Sequence, residues 1–262
     1  MGGINKGFIV CGDTHGNFEY IRKTIKNRNI TDMVLFHVGD FGVGFNDERK
    51  DKLELSRLNT RLEKNNCQMY VIRGNHDKPA YFDGTWDWTN LHLVPDYTIV
   101  NVEGYDVLMV GGAISVDRVP RKREELIYAR NNVDKELYWY DEPFVLDEGK
   151  LKEIKGVTYV VTHSSPKFVE PINNIGIPSH GYLVESFAID DANLKADLDK
   201  EREDLTRMYE ILKENNYISK WFYGHFHRSN AMYYEDTDFV LLGVNEFREV
   251  YINTEINENT KE

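Results

Sequence analysis

Phe8-Ile9-Val10-Cys11-Gly12-Asp13-Thr14-His15-Gly16 is the stretch from which the fold can be read. An unbroken apolar run, β-branched at Ile9 and Val10, describes a short strand buried on both faces. It stops at Gly12, and a carboxylate and an imidazole follow at once. A helix is expected next, over Asn17–Lys26, because Phe18, Ile21 and Ile25 recur three and four residues apart. The unit then repeats. Met33–Val38 reads as a second buried strand, ending in Gly39-Asp40-Phe41-Gly42. Glu48–Asn65 carries Leu55, Leu58 and Leu62 on one helical face. Met69–Ile72 is a third strand, ending in Arg73-Gly74-Asn75-His76-Asp77. The order β-α-β-α-β predicts a parallel sheet with helical crossovers. In such a sheet the loops beyond the carboxyl ends of the strands converge on one edge, where ligands bind.

The remainder of the chain extends this pattern. Leu91–Val94, Tyr97–Val102 and Tyr105–Val110 are short runs broken by Pro95-Asp96 and Glu103-Gly104, which suggests a meander or hairpin. Residues 117–153 are charged and aromatic, with a helix expected around Arg121–Arg130. Val157–Thr162 is another buried strand. Leu194–Asn215 is an amphipathic helix, and Trp221–Tyr223, Ala231–Tyr234, Phe239–Leu242 and Phe247–Ile252 are further strands. The expected organisation is one domain over 1–253, with an insertion at about 164–193 where periodicity fades, and a polar tail at 254–262.

Composition narrows the function classes. Of 262 residues, Lys plus Arg is 32 and Asp plus Glu is 44, a formal charge of −12. That balance disfavours a broad surface for long nucleic acids, since neutralising phosphates needs Lys and Arg. Cys11 and Cys67 are too few for a disulfide framework and point to a reducing compartment. The start MGGINKGFIV lacks the pattern of a secretory signal, and Lys6 stands where myristoylation needs Ser or Thr. No apolar run approaches the roughly 18 residues of a membrane span. A cytoplasmic protein with no membrane contact and no obligate protein partner is expected.

The chemistry collects at strand ends. To Asp13, His15, Asp40, Asn75 and His76 the later strands add His163, after Val160-Val161-Thr162, and Gly224-His225-Phe226-His227, after Trp221-Phe222-Tyr223. His225 and His227 are two apart, so on extended backbone both rings share a side, and Asp13 and His15 have the same spacing. Carboxylates, imidazoles and an amide oxygen meeting at one edge form a mixed N/O ligand set. Such a set suits Mn, Fe, Zn or similar divalent ions and lacks the thiolates of a structural zinc site.

Taken in order, Asp13-x-His15, Gly39-Asp40, Gly74-Asn75-His76-Asp77, His163 and Gly224-His225-x-His227 resemble the signature of the calcineurin-like metallophosphoesterases. The resemblance implies an α/β (α+β) fold, a four-layer sandwich of two mixed β-sheets flanked by helices. It also implies two divalent metal ions per chain, Mn, Fe, Zn or Ni. Asp13, His15 and His227 would hold the first, Asn75, His163 and His225 the second, and Asp40 would bridge both. His76 would be a non-ligand general acid, with Asp77 orienting its ring. A water shared by both ions is acidified and attacks phosphorus, the ions stabilise the phosphoryl oxygens, and an imidazole protonates the leaving oxygen. Two divalent ions also outweigh the two ligand carboxylates, which leaves the site cationic in an acidic chain.

The Ser/Thr protein phosphatase branch of that family has Asp-Arg shortly after its Gly-Asp block. Here Gly39-Asp40-Phe41-Gly42-Val43-Gly44-Phe45 contains no Arg. Arg73 matches that branch's third block and is the candidate for contact with substrate. Val110-Gly111-Gly112-Ala113-Ile114-Ser115-Val116-Asp117 and Trp139-Tyr140-Asp141-Glu142-Pro143 look like a bacterial and phage-type subgroup. The expected activity is hydrolysis of a phosphate ester: a small phosphomonoester, a nucleotide or a phosphoprotein. A phosphodiesterase or nuclease of the same fold is the alternative, and a non-catalytic metal-binding scaffold a weaker one, since all the ligand positions are intact.

Ordinary readings account for other conspicuous residues. His37 lies within Val34–Val38 and His92 within Leu91–Val94, so both are expected to be hydrogen-bonded strand residues. His180, in the 164–193 segment, reads as a surface loop residue. Asp40-Phe41-Gly42 spells a kinase metal motif, but no Gly-rich loop or strand lysine accompanies it.

Overall fold

The computed structural model describes residues 7–170 and 180–252, with only the backbone of His180. Residues 171–179 of the expected insertion and the expected tail at 254–262 lie outside the described residues.

Strands β1 (Gly7–Cys11), β2 (Val34–His37), β3 (Gln68–Val71) and β4 (Leu91–Leu93) are parallel neighbours in a five-stranded sheet. Helices α1 (Phe18–Asn27) and α2 (Glu48–Lys64) provide the first two crossovers. Each helix starts where a side chain caps it: Asn17 accepts from the Tyr20 amide and Asp47 from the Lys50 amide. The second sheet is built from β5 (Thr98–Val102), β6 (Tyr105–Val110), β7 (Val157–Thr162), β8 (Lys220–Tyr223), β9 (Asn230–Tyr234) and β10 (Thr237–Leu241), in the order β5-β6-β7-β8-β10-β9. The chain finishes in β11 (Phe247–Tyr251), which returns to pair antiparallel with β1. Helices α3 (Arg118–Arg130), α4 (Glu148–Glu153), α5 (His180–Phe187) and α6 (Leu194–Asn215) complete the described residues. No helix among them is long and apolar enough to cross a membrane.

The alternation in β1 shows why the layers number four. Phe8 and Val10 face the second sheet, packing in one cluster with Phe36, Val38, Met109, Val161 and Phe222. Ile9 and Cys11 face the other way, onto Ile21 and Ile25 of α1 and Leu55, Leu58 and Leu62 of α2. Trp221, Tyr223, Phe239 and Leu241 on the far face of the second sheet pack against Leu205, Met208, Tyr209 and Leu212 of α6. Apolar side chains on both faces of each sheet leave no face for water, so helices must cover both outer faces. Two mixed sheets flanked by helices are thus the observed fold, as the family resemblance implied.

Two readings change: the 164–193 segment, where periodicity fades, contains α5, and the runs at 91–110 pair differently from expectation. The runs at 91–110 do not make one meander. β4 is the parallel edge of the first sheet, whereas β5 and β6 form a hairpin in the second. Pro95-Asp96 is therefore the crossing between sheets. Asp96 is fixed there by accepting from the Gly111 amide at 2.8 Å and from the Arg73 guanidinium at 2.7 Å. Turn residues end a strand, but they carry no information on which sheet the next strand joins.

Candidate metal centre

The expected site residues meet at the carboxyl ends of β1, β2, β3, β7 and β8, where both sheets open onto one edge. Ligand atoms of Asp13, His15, Asp40 and His227 all lie within 4.8 Å of one another. His15 Nε2 and His227 Nε2 are 3.0 Å apart, and His227 Nε2 is 3.5 Å from Asp13 Oδ2. On the other side, Asn75 Oδ1 lies 3.1 Å from His163 Nε2 and 2.9 Å from His225 Nδ1. Asp40 stands between the two groups, with Oδ2 3.8 Å from His15 Nδ1 and Oδ1 3.1 Å from His163 Nε2. The donor set fits divalent cations: two buried carboxylates, four imidazoles and an amide oxygen, with no thiolate.

The ligand histidines divide electrostatically: burial would lower His163, but the Asp40 carboxylate beside it raises it to about 9, whereas His15 and His227 shift the other way. Burial lowers His15 to about 4 and also lowers His227, which favours the neutral ring that binds a metal. Burial raises the Asp13 carboxyl. It would raise Asp40 too, but the His76 and His163 imidazoles outweigh it and hold that carboxyl well below its ordinary range. His163 directs Nδ1 to the Val38 carbonyl at 2.7 Å, which leaves Nε2 for the centre.

Backbone strain concentrates here. His15, Asp40, His225 and His227 have φ of 46°, 50°, 66° and 54°, the left-handed region that costs a residue with a Cβ. The spacing of two in Asp13-x-His15 and His225-x-His227 therefore does not act through extended strand, as read from the sequence. β1 and β8 end first, and tight turns aim the side chains. Two glycines make room. A Cβ on Gly39, itself at φ 95°, would lie 2.6 Å from His163 Nδ1, and one on Gly74 would lie 2.2 Å from the Asp40 amide nitrogen.

Two side chains depart from their expected places. Asp77 does not orient the His76 ring. Its fully buried carboxylate accepts from the amides of Phe41 (3.0 Å), Gly42 (2.7 Å), Val43 (3.2 Å) and Gly74 (2.8 Å), tying the loop after β2 to the loop after β3. Glycines and a left-handed Asp40 leave those amides no intrastrand partner, so a carboxylate answers them. Asp77→Ala is accordingly expected to cost about 3 kcal/mol of unfolding free energy in urea titration, because several buried donors lose their acceptor. A cost below about 1 kcal/mol would sink this bracing role.

Arg73, the candidate substrate contact, is buried and committed elsewhere. Its guanidinium donates to Asp96 and to the carbonyls of Asp141, Glu142 and Pro143. The arginine at the site is instead Arg121 of α3. It pairs with Asp117 at 2.9 Å, donates to the Asn75 carbonyl at 3.4 Å and contacts His76 Nε2. Nothing in the basic run Arg118–Arg123 distinguishes Arg121 from its neighbours. Only the packing of α3 over the loop after β3 does so. His76 itself is partly exposed, with Nδ1 2.7 Å from Asp40 Oδ2.

His37 and His92 follow their sequence readings, whereas His180 opens α5 rather than lying in a loop. His37 is fully buried and held by Thr14 Oγ1 at 3.1 Å. His92 lies in β4 between Asp87 and Gln68.

A cavity of about 490 Å³ opens beside the ligands. Asp40, Asn75, His76, His225 and His227 line its floor, and Val116, Leu183, Phe187 and Phe226 its walls. Asp117 and Arg228 also line this cavity. Ser115 is buried beneath it, and Arg118 is paired with Asp191 and Asp197.

The profile of the calcineurin-like phosphoesterase family matches residues 7–229. The chain belongs to that family, and so to a class of binuclear metal-dependent hydrolases acting on phosphate esters. Among solved structures, a dimetal phosphatase from Danio rerio is similar at 10% identity and a TM-score of 0.51, over 95% of this chain and 94% of that one. The phosphopantetheinyl hydrolase of Mycobacterium tuberculosis is similar at 13% identity and a TM-score of 0.48, over 96% and 99%. No curated protein matches the sequence.

Proposed function

We propose that this protein hydrolyses a small phosphomonoester, a nucleotide or a phosphorylated segment of protein in the cytoplasm, using one domain over 1–253 and two divalent ions, with manganese the first candidate. The observation that carries the reading is Asp40 standing between the two ligand groups, with the reachable His76 ring beside it over an open cavity.

Asp13, His15 and His227 would hold one ion, Asn75, His163 and His225 the other, and Asp40 both. When bound, the ions acidify a shared water and offset charge on the phosphoryl oxygens. The chain's own residues do the rest. His76 is the group placed to hand a proton to the leaving oxygen. In this structure Nδ1 faces Asp40 and Nε2 faces Arg121, so the ring acts as the acid only after it takes up a proton at Nε2 and Arg121 turns away from that nitrogen. Arg121 brings to the ring's far side the positive charge that the block after Asp40 lacks. The walls of Val116, Leu183, Phe187 and Phe226 suit a compact organic group better than a charged polymer, in keeping with a charge of −12.

A panel of aryl monoesters and diesters, alkyl phosphates, nucleotides and phosphopeptides, run with Mn, Fe, Zn, Ni and Mg, tests this. Faster turnover of monoesters than of diesters is the expected result. Preference for diesters would replace the reading by the phosphodiesterase of the same fold. No turnover, together with less than one metal per chain, would point to a scaffold.

A further inference from the structure

The segments Gly111-Gly112-Ala113-Ile114-Ser115 and Trp139-Tyr140-Asp141-Glu142-Pro143 lie far apart in sequence and hold no ligand. In the structure they form one bracket. Gly112 donates to the Arg73 carbonyl at 2.8 Å and Ala113 to the Glu142 carbonyl at 3.1 Å, while Arg73 clasps the carbonyls of 141–143 from the other side. Inside this bracket, Glu142 is fully buried and does not line the cavity. Its Oε1 accepts from the Ser115 amide at 2.6 Å, and its Oε2 from the Ser115 hydroxyl at 2.9 Å. Ser115 Oγ in turn accepts from Asn75 Nδ2 at 3.0 Å.

We infer that Glu142 and Ser115 are positioning residues that fix which end of the Asn75 amide faces the second metal site. The argument rests on donors and acceptors. The Asn75 amide could sit either way round, because its oxygen and nitrogen have nearly the same shape. Only the oxygen can be a ligand. An ionised Glu142 offers acceptors alone, so the Ser115 hydroxyl must give it its proton. The oxygen of Ser115 can then only accept, and Asn75 must turn its NH₂ towards it. That turns Oδ1 towards His163 and His225. The NH₂ group is also 3.2 Å from His76 Nδ1, but that nitrogen already donates to Asp40, so the contact sets nothing. Burial pushes the Glu142 carboxyl up to about 8, against the two hydrogen bonds from Ser115. The test therefore belongs on the alkaline side of that value.

The inference rests on the two-metal reading and is tested by metal uptake rather than by turnover. Mn(II) alone is titrated into the metal-free full-length protein, with calorimetry resolving the two equivalents. Glu142→Gln is nearly isosteric, yet its NH₂ would donate to Ser115 Oγ and reverse the relay. Ser115→Ala removes the acceptor. Each is expected to weaken one Mn(II) equivalent about 10- to 100-fold, the range for groups that orient ligands, and to leave the other within about 3-fold. In an Asn75→Ala background, Ser115→Ala should add no further loss. Equal weakening of both equivalents, full additivity with Asn75→Ala, or wild-type affinity in Glu142→Gln would each overturn the assignment. Wild-type protein that takes up fewer than two Mn(II) ions would overturn the two-metal reading beneath it.

Discussion

Asp40→Asn protein, offered Mn(II), is expected to hold fewer than two ions per chain and to lose about a thousand-fold or more in kcat on an aryl phosphate. Among the described residues Asp40 is the one side chain facing both ligand groups, and its two oxygens already serve two imidazoles and the His76 amide. Asparagine keeps the volume and one acceptor, so the loop after β2 should survive, and an unchanged thermal melt is the control. What it loses is the charge and the second oxygen. An amide NH₂ cannot bind a cation, so one of the two sites must forfeit its bridging ligand. Metal analysis and steady-state kinetics on the same preparation decide it. Two retained ions with turnover within about ten-fold of wild type would remove Asp40 from the centre.

His76→Ala should separate chemistry from metal binding. The ring contributes no ligand in this scheme, so two ions are expected to remain while kcat falls about 10²- to 10⁴-fold, the usual range for a lost general acid. The loss should depend on the ester. An aryl phosphate expels a phenolate that needs little help from a proton, whereas an alkyl phosphate expels a far more basic alkoxide. The drop is therefore expected to be larger on alkyl than on aryl substrates. Equal losses on both would make His76 a charge or positioning group rather than the acid, and attention would move to Arg121, which touches the same ring. Loss of metal in this variant would show instead that Asp40 depends on its partner at Nδ1 to hold its place.

Asp77 and Arg73 carry a lesson about motif reading. Both belong to ordered blocks, and both do structural work there. Asp77 answers amides on a loop more than thirty residues earlier in the chain, and Arg73 clamps a segment nearly seventy residues later. Membership of a block marks a residue as needed near the site without saying whether it faces the cavity or the scaffold behind it. The same holds in reverse for Ser115, which stands in none of the five blocks and yet accepts from Asn75, and for Glu142, which reaches Asn75 only through Ser115.

Gly12, Gly39 and Gly74, the ligand types after them and the alternating or unbroken apolar runs before them were all legible along the chain, because each depends on neighbours within a few residues. Strand ends, helix positions and the chemistry of the donor set follow from such local rules, and the layered fold was implied by the family resemblance that those residues carry. The direction in which each side chain points did not follow. Left-handed turns rather than extended backbone aim His15, Asp40, His225 and His227. The sheet that β4 joins, the arginine that reaches His76 and the orientation of the Asn75 amide are likewise decided by contacts between segments distant in sequence. Those contacts exist only once the two sheets have packed face to face. Local sequence names the donors, but the burial created by that packing removes water as the alternative partner and so leaves each donor one place to go.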